Sequence, residues 1–150
     1  MRFGVAVVSM IGLMALGAMR PALRAQETQA SDTKTIWSGV FTDDQAKRGR
    51  ELYNKWCQSC HGAELSGGEM APPLAGSTFI TNWDGQTVGD LEERVRITMP
   101  QGDEGALSRQ QVVDILSAVF AANGAPAGET ELPKELPFLR AITIGPKPGH

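Results

Sequence analysis

Cys57, Gln58, Ser59, Cys60 and His61 put the only two cysteines of this 150-residue chain beside one of its two histidines. Two thiols three residues apart, followed at once by an imidazole, is the spacing at which a polypeptide takes up haem covalently. On one helical turn Cys57 is residue i, Cys60 is i+3 and His61 is i+4, so the three side chains share a face. Thioether bonds from the two sulfurs would pin a porphyrin by its vinyl groups, and the imidazole would reach the iron from the same side.

Three other chemistries use parts of this pattern. The cysteines could close a small disulfide. They could form a thiol-disulfide exchange pair, although that arrangement wants a helix starting at the motif within a βαβ surrounding, and the residues before Cys57 read as helix. Zinc would need a fourth ligand, and beyond the motif the chain offers only the terminal His150. Haem attachment is the reading the sequence favours.

A haem iron held by His61 leaves its opposite face for a second ligand or for an opening. Met99 precedes Pro100, and a residue before proline is pushed out of the helical region, so the chain leaves a helix there and starts a loop whose side chain can cross the haem face. Its thioether is a soft, weak donor that suits low-spin iron and raises the potential relative to a second imidazole. Met70 lies close after His61, ahead of Ala71-Pro72-Pro73-Leu74-Ala75-Gly76, and reads as a loop residue or core filler on the His61 side. His150 ends a tail. Met99 is the expected ligand.

The elements that must position these residues are legible in caps and periodicity. Thr42-Asp43-Asp44-Gln45 forms a capping box for a helix running to about Cys57, with Ala46, Gly49, Leu52, Tyr53 and Trp56 as its inward stripe and Gly49 inviting close helix contact. Residues 62–86, rich in Gly, Pro and Ser, read as a long irregular stretch of the kind that wraps a cofactor. Thr87 opens a second helix that stops before Pro100, with Val88, Leu91 and Val95 inward and Glu92, Glu93, Arg94 and Arg96 facing water. Ser108-Arg109-Gln110-Gln111 is another capping box, followed by the clearest amphipathic pattern, Val112, Ile115, Leu116, Val119 and Phe120, closed by Gly124 and Pro126.

At the N-terminus, Met1-Arg2 leads into an apolar run from Phe3 to Met19, then Pro21 and Ala25, the pattern of a secretory signal over residues 1–25. The alternative is an uncleaved membrane anchor. Residues 26–41 read as a polar linker followed by an arm carrying Ile36, Trp37, Val40 and Phe41. Residues 125–150, with five prolines, read as an extended tail packing Leu132, Leu136, Phe138, Leu139, Ile142 and Ile144 on the surface. Without Arg2, Arg20 and Arg24 the 14 basic residues fall to 11 against 17 acidic ones, a net charge of −6. Such a balance disfavours a nucleic-acid partner and steers a basic protein surface.

The ordered combination of the capped helix with Gly49 and Tyr53, Cys57-Gln58-Ser59-Cys60-His61, the Ala71-Pro72-Pro73-Leu74-Ala75-Gly76 turn and Met99-Pro100 resembles class I c-type cytochromes over residues 42–124. The resemblance implies an all-α fold, three main helices and long loops wrapped around one covalent haem c, and an electron carrier, not an enzyme. It implies haem attachment at Cys57 and Cys60, and His61 and Met99 as axial ligands of the iron. It also implies a Pro72 carbonyl accepting the Nδ1 proton of His61, Leu74 packed on the proximal haem face, and Trp83, Arg94 or Arg96 near the propionates. Within the class, Val40-Phe41-Thr42, Gly62-Ala63-Glu64-Leu65-Ser66-Gly67-Gly68, Thr98-Met99-Pro100, Leu107-Ser108 and Asn123-Gly124-Ala125-Pro126 are similar to small bacterial cytochromes met with quinoprotein dehydrogenases. That narrower likeness implies a periplasmic protein taking electrons from a pyrroloquinoline-quinone enzyme and passing them through the respiratory chain toward a terminal oxidase. A peroxidase-like haem enzyme with an open iron position is the alternative from another class.

Overall fold

Thr42, Thr87 and Ser108 each start a helix in the computed structural model, which describes residues 34–149. The signal segment 1–25, the polar part of the linker and His150 lie outside the described residues. Helix α1 spans Asp43–Trp56, α2 Gln58–His61, α3 Ser77–Trp83, α4 Val88–Thr98, α5 Arg109–Ala122 and α6 Leu136–Leu139. Strands β1 (Lys34–Thr35) and β2 (Ile142–Thr143) pair in parallel, Lys34 opposite Ile142 and Thr35 opposite Thr143. Among the described residues no helix is long and apolar enough to cross a membrane.

The capping chemistry is local and forms as the residues dictate. Thr87 and Asp90 complete a reciprocal box, and so do Ser108 and Gln111. At α1 only half of the expected box forms: Thr42 Oγ1 accepts from the Gln45 N–H at 3.2 Å, but the Gln45 side chain does not reach back. It is fully buried instead. Its Nε2 donates to Asp114 Oδ1 at 3.1 Å and to the Leu132 carbonyl at 3.0 Å, and its Oε1 accepts from the Leu132 N–H at 2.6 Å. A solvated cap exchanges water for one bond, whereas this position serves three buried groups, of which the Leu132 N–H and carbonyl find no other partner among the described residues and Asp114 Oδ1 also accepts from Gln110 at 3.0 Å.

Helices α1 and α5 cross in close contact at Gly49. A Cβ built there would fall 1.7 Å from the Asp114 carbonyl oxygen, so the backbones touch only because the side chain is a hydrogen atom. Helix α4 also packs against α5, and its Val88 and Leu91 are buried in the same core. The expected amphipathic stripe on α5 is present, but the helix has no wet face along its centre: every residue from Val112 to Phe120 is buried, Asp114 and Ser117 included. Ser117 satisfies its hydroxyl on the Val113 carbonyl at 2.8 Å.

The structure departs from the sequence reading at three further places. The irregular stretch 62–86 contains α3, whose Phe79 enters the core. Glu92, expected in water, is fully buried, with Arg109 Nε at 3.5 Å and Arg96 Nε at 3.9 Å from Oε1. Among the described residues neither of its oxygens finds a hydrogen-bond donor, and burial raises its pKa above the usual carboxylate value despite the two arginines. The C-terminal segment is not a surface tail: Leu132, Leu139, Ile142 and Ile144 belong to the same core cluster as Ile36, Val40 and Phe41 of the N-terminal arm. Each such side chain contributes about 1.5–3 kcal/mol by leaving water, far more than a surface contact would. Leu136 is half-buried and Phe138 remains exposed.

Candidate functional site

Cys57 closes α1 and opens α2. Its N–H donates to the Tyr53 carbonyl at 2.8 Å, and its carbonyl accepts from Cys60 at 3.2 Å and His61 at 3.0 Å. The motif is therefore one turn, with both sulfurs and the imidazole projected from it as the spacing predicts. The backbone is anchored underneath by Tyr53, whose buried hydroxyl donates to the Gly62 carbonyl at 2.6 Å. Sequence reading placed Tyr53 in the apolar stripe and missed this bond, because a tyrosine at an inward position gives no signal of what its hydroxyl meets.

His61 is buried, and its Nδ1 lies 2.8 Å from the Pro72 carbonyl oxygen. A carbonyl has no proton to give, so Nδ1 is the N–H nitrogen and Nε2 keeps its lone pair for a metal. The bond also makes the imidazole a stronger donor. The loop bearing Pro72 is laced to the residues after the motif: the Leu65 carbonyl accepts from Leu74 at 2.8 Å and Ala75 at 3.2 Å, and Gly67 N–H donates to the His61 carbonyl at 2.9 Å. Leu74 is half-buried against the core.

Met99 caps the C-terminus of α4 in an extended conformation, φ −130° and ψ 150°, with its N–H on the Val95 carbonyl at 2.8 Å. The pre-proline constraint thus ends the helix where the sequence predicts, and Met99 is half-buried at the start of the following loop. Met70 is 91% exposed, on the loop between the motif and Pro72. Trp83 is half-buried against the core, Arg94 is exposed, and Arg96 faces Glu92.

The donor set fits a haem. Both cysteines are free, Cys60 exposed and Cys57 half-buried, so each sulfur is available to the turn's open side. Burial pushes the Cys57 thiol up to about 11, with Cys60 adding to the effect, the opposite direction from the lowered thiol of an exchange centre. Trp56 Nε1, adjoining the motif, is buried with no acceptor among the described residues, an orphaned donor of the kind that a cofactor's polar groups satisfy. Among the described residues no cluster of three or more His, Cys, Asp or Glu side chains is placed to hold a bare metal ion.

Comparison with known proteins agrees with this geometry. A family model described as cytochrome c oxidase, cbb3-type, subunit III matches residues 44–117. Cytochrome c-554(547) of Halothiobacillus neapolitanus is 31% identical over 90 residues, which cover 58% of this chain and 85% of that protein. A chain in the crystal structure of the sulfane dehydrogenase SoxCD from Paracoccus pantotrophus aligns with 26% identity and a TM-score of 0.44, over 75% of this chain and 61% of that one. The helical fold, the turn bearing two thiols and an oriented imidazole, the family model and the Halothiobacillus neapolitanus relative together place the chain among the small class I c-type cytochromes, electron carriers built on covalent haem c.

Proposed function

We propose that the protein is a periplasmic monohaem electron carrier in which Cys57 and Cys60 hold the haem and His61 and Met99 ligate the iron. The observation that carries this reading is the 2.8 Å contact between His61 Nδ1 and the Pro72 carbonyl, which leaves Nε2 as a free donor on the same turn as two free thiols. The haem supplies a one-electron couple between ferric and ferrous iron. The chain's part is to hold that couple still. His61 is fixed in one tautomer by Pro72, its turn is pinned through Tyr53 and Gly67, and Met99 stands on an extended pre-proline residue at the end of a rigid helix. Fixed ligands keep rearrangement small on each transfer. With haem held at Cys57 and Cys60, the exposed Cys60 side of the motif would be the approach for a redox partner, and a weak, small interface serves such transient exchange.

Residues 1–25 support export, and the acidic balance of the remaining chain supports a partner with a basic docking face. The sequence likeness to cytochromes met with quinoprotein dehydrogenases supports a pyrroloquinoline-quinone enzyme as donor and a terminal oxidase as acceptor. The decisive experiment compares Met99→Ala with Met70→Ala in haem-loaded protein. Met99→Ala abolishes the methionine-to-iron charge-transfer band, lowers the potential and opens the ferrous iron to carbon monoxide, while Met70→Ala changes none of these. An unaltered spectrum for Met99→Ala rejects the ligand, and rapid carbon monoxide uptake by the unsubstituted protein would favour an enzyme with an open iron position. Reduction by a purified quinoprotein dehydrogenase tests the donor separately.

A further inference from the structure

We infer that Asn123, at the end of α5, is a positioning residue for the His61 imidazole, acting through the loop that carries Pro72. The inference deepens the proposed function and rests on His61 as an iron ligand. Pro72 and Pro73 have no N–H groups, so this stretch donates no backbone hydrogen bonds and its place is set by the residues on either side. Upstream, the Ala71 carbonyl accepts from Gly68 N–H at 2.9 Å. Downstream, beside the Leu65 contacts, the tie to a rigid element runs through one side chain. Asn123 Nδ2 donates to the Leu74 carbonyl at 2.9 Å, and Asn123 Oδ1 accepts from the Gly76 N–H at 2.9 Å.

The same amide donates to the Val119 carbonyl at 2.8 Å, one turn back on α5, which holds the side chain in a single orientation. A donor at Gly76 and acceptors at Leu74 and Val119 also assign the two ends of the amide without ambiguity. Gly124, at φ +85°, stops the helix immediately afterwards, and Ala125 N–H closes onto the Phe120 carbonyl at 3.0 Å. The chain of connection is therefore short: α5, Asn123, Leu74 and Gly76, Pro72 carbonyl, His61 Nδ1. Releasing the loop lengthens the last contact, makes the imidazole a poorer donor and destabilises ferric relative to ferrous iron, which raises the potential.

The test uses haem-loaded protein carrying Asn123→Ala or Asn123→Asp, with Val113→Ala as a control that opens a cavity in α5 without touching the loop. Asn123→Asp is isosteric and keeps the Gly76 acceptor while losing both donations, so it carries the test if Asn123→Ala fails to mature. Two readouts separate positioning from mere stability: the midpoint potential, and the exchange rate of the His61 Nδ1 proton followed by NMR. Loss of one hydrogen bond's net worth at the loop corresponds to about tenfold faster exchange. The Asn123 variants are expected to keep a low-spin spectrum, exchange this proton about tenfold faster and shift upward in potential, whereas Val113→Ala lowers only the melting temperature. Asn123 variants that melt earlier but match Val113→Ala in exchange and potential would overturn the inference. Absence of any histidine-derived resonance of this kind in the unsubstituted protein would instead overturn His61 as ligand, a separately visible failure.

Discussion

Replacing Gly49 with alanine sets two effects of known sign against each other. Alanine is the better helix former by about 1 kcal/mol, so on α1 taken alone the change stabilises. In the folded protein the new methyl carbon would lie 1.7 Å from the Asp114 carbonyl oxygen, 2.4 Å from its carbon and 3.0 Å from the Ile115 nitrogen. All three atoms are backbone, so no side chain can swing aside, and α1 and α5 must part by about 1.7 Å to reach ordinary contact. Parting them also stretches the Gln45–Asp114 hydrogen bond from 3.1 Å, at about 1 kcal/mol, on top of about 1–3 kcal/mol for overpacking. The expected net loss is about 2 kcal/mol, read as a lower urea midpoint at unchanged slope in haem-loaded protein, with a fall in melting temperature of about 10 °C. A Gly49→Ala protein as stable as the original, or more so, would mean that helix preference outweighs the contact and that the crossing is looser than 1.7 Å implies.

Gln45→Leu orphans the Leu132 N–H and carbonyl at about 1–3 kcal/mol for each group left unpaired, and limited proteolysis should then cut first near Leu132. A urea midpoint unchanged from the parent protein would remove Gln45 from the core's hydrogen bonding. Glu92 yields a pH prediction of definite sign. Its folded pKa is raised, so the native state binds more protons than the unfolded chain between the ordinary carboxylate pKa and the raised one. The stability this group contributes is complete below the unfolded value and is lost as pH rises through the folded value. Glu92→Gln should flatten that part of a urea-midpoint profile against pH, and a slope identical to the parent's would assign the dependence to another group.

Where the sequence reading and the structure agree, the determinant spans a few residues. Thr87 with Asp90 and Ser108 with Gln111 satisfy amides three residues away, Pro100 acts on Met99 beside it, and Cys57, Cys60 and His61 share one turn. Where they differ, the partner is distant in the chain. Gln45 is drawn from its cap by Asp114 and Leu132, 69 and 87 residues away. The charged pattern of α4 read Glu92 as solvated, whereas Arg109 of α5 packs over it. The periodicity of α5 marked one inward face and could not register that α1 and the C-terminal segment cover the others.

Local chemistry alone therefore settled that this chain carries a turn able to bind haem, bounded by capped helices and followed by a methionine held extended by proline. A side chain's own type and its near neighbours suffice for that, because caps, turns and pre-proline backbone are decided within one or two helical turns. The family resemblance already implied the Pro72 carbonyl as partner of His61 Nδ1; only the tertiary structure decided what ties down the loop that carries it, the amide of Asn123, 47 to 49 residues further along the chain. Those contacts exist because packing brings separate elements within 3 Å of one another, and no pattern along the chain encodes which polar groups will then meet.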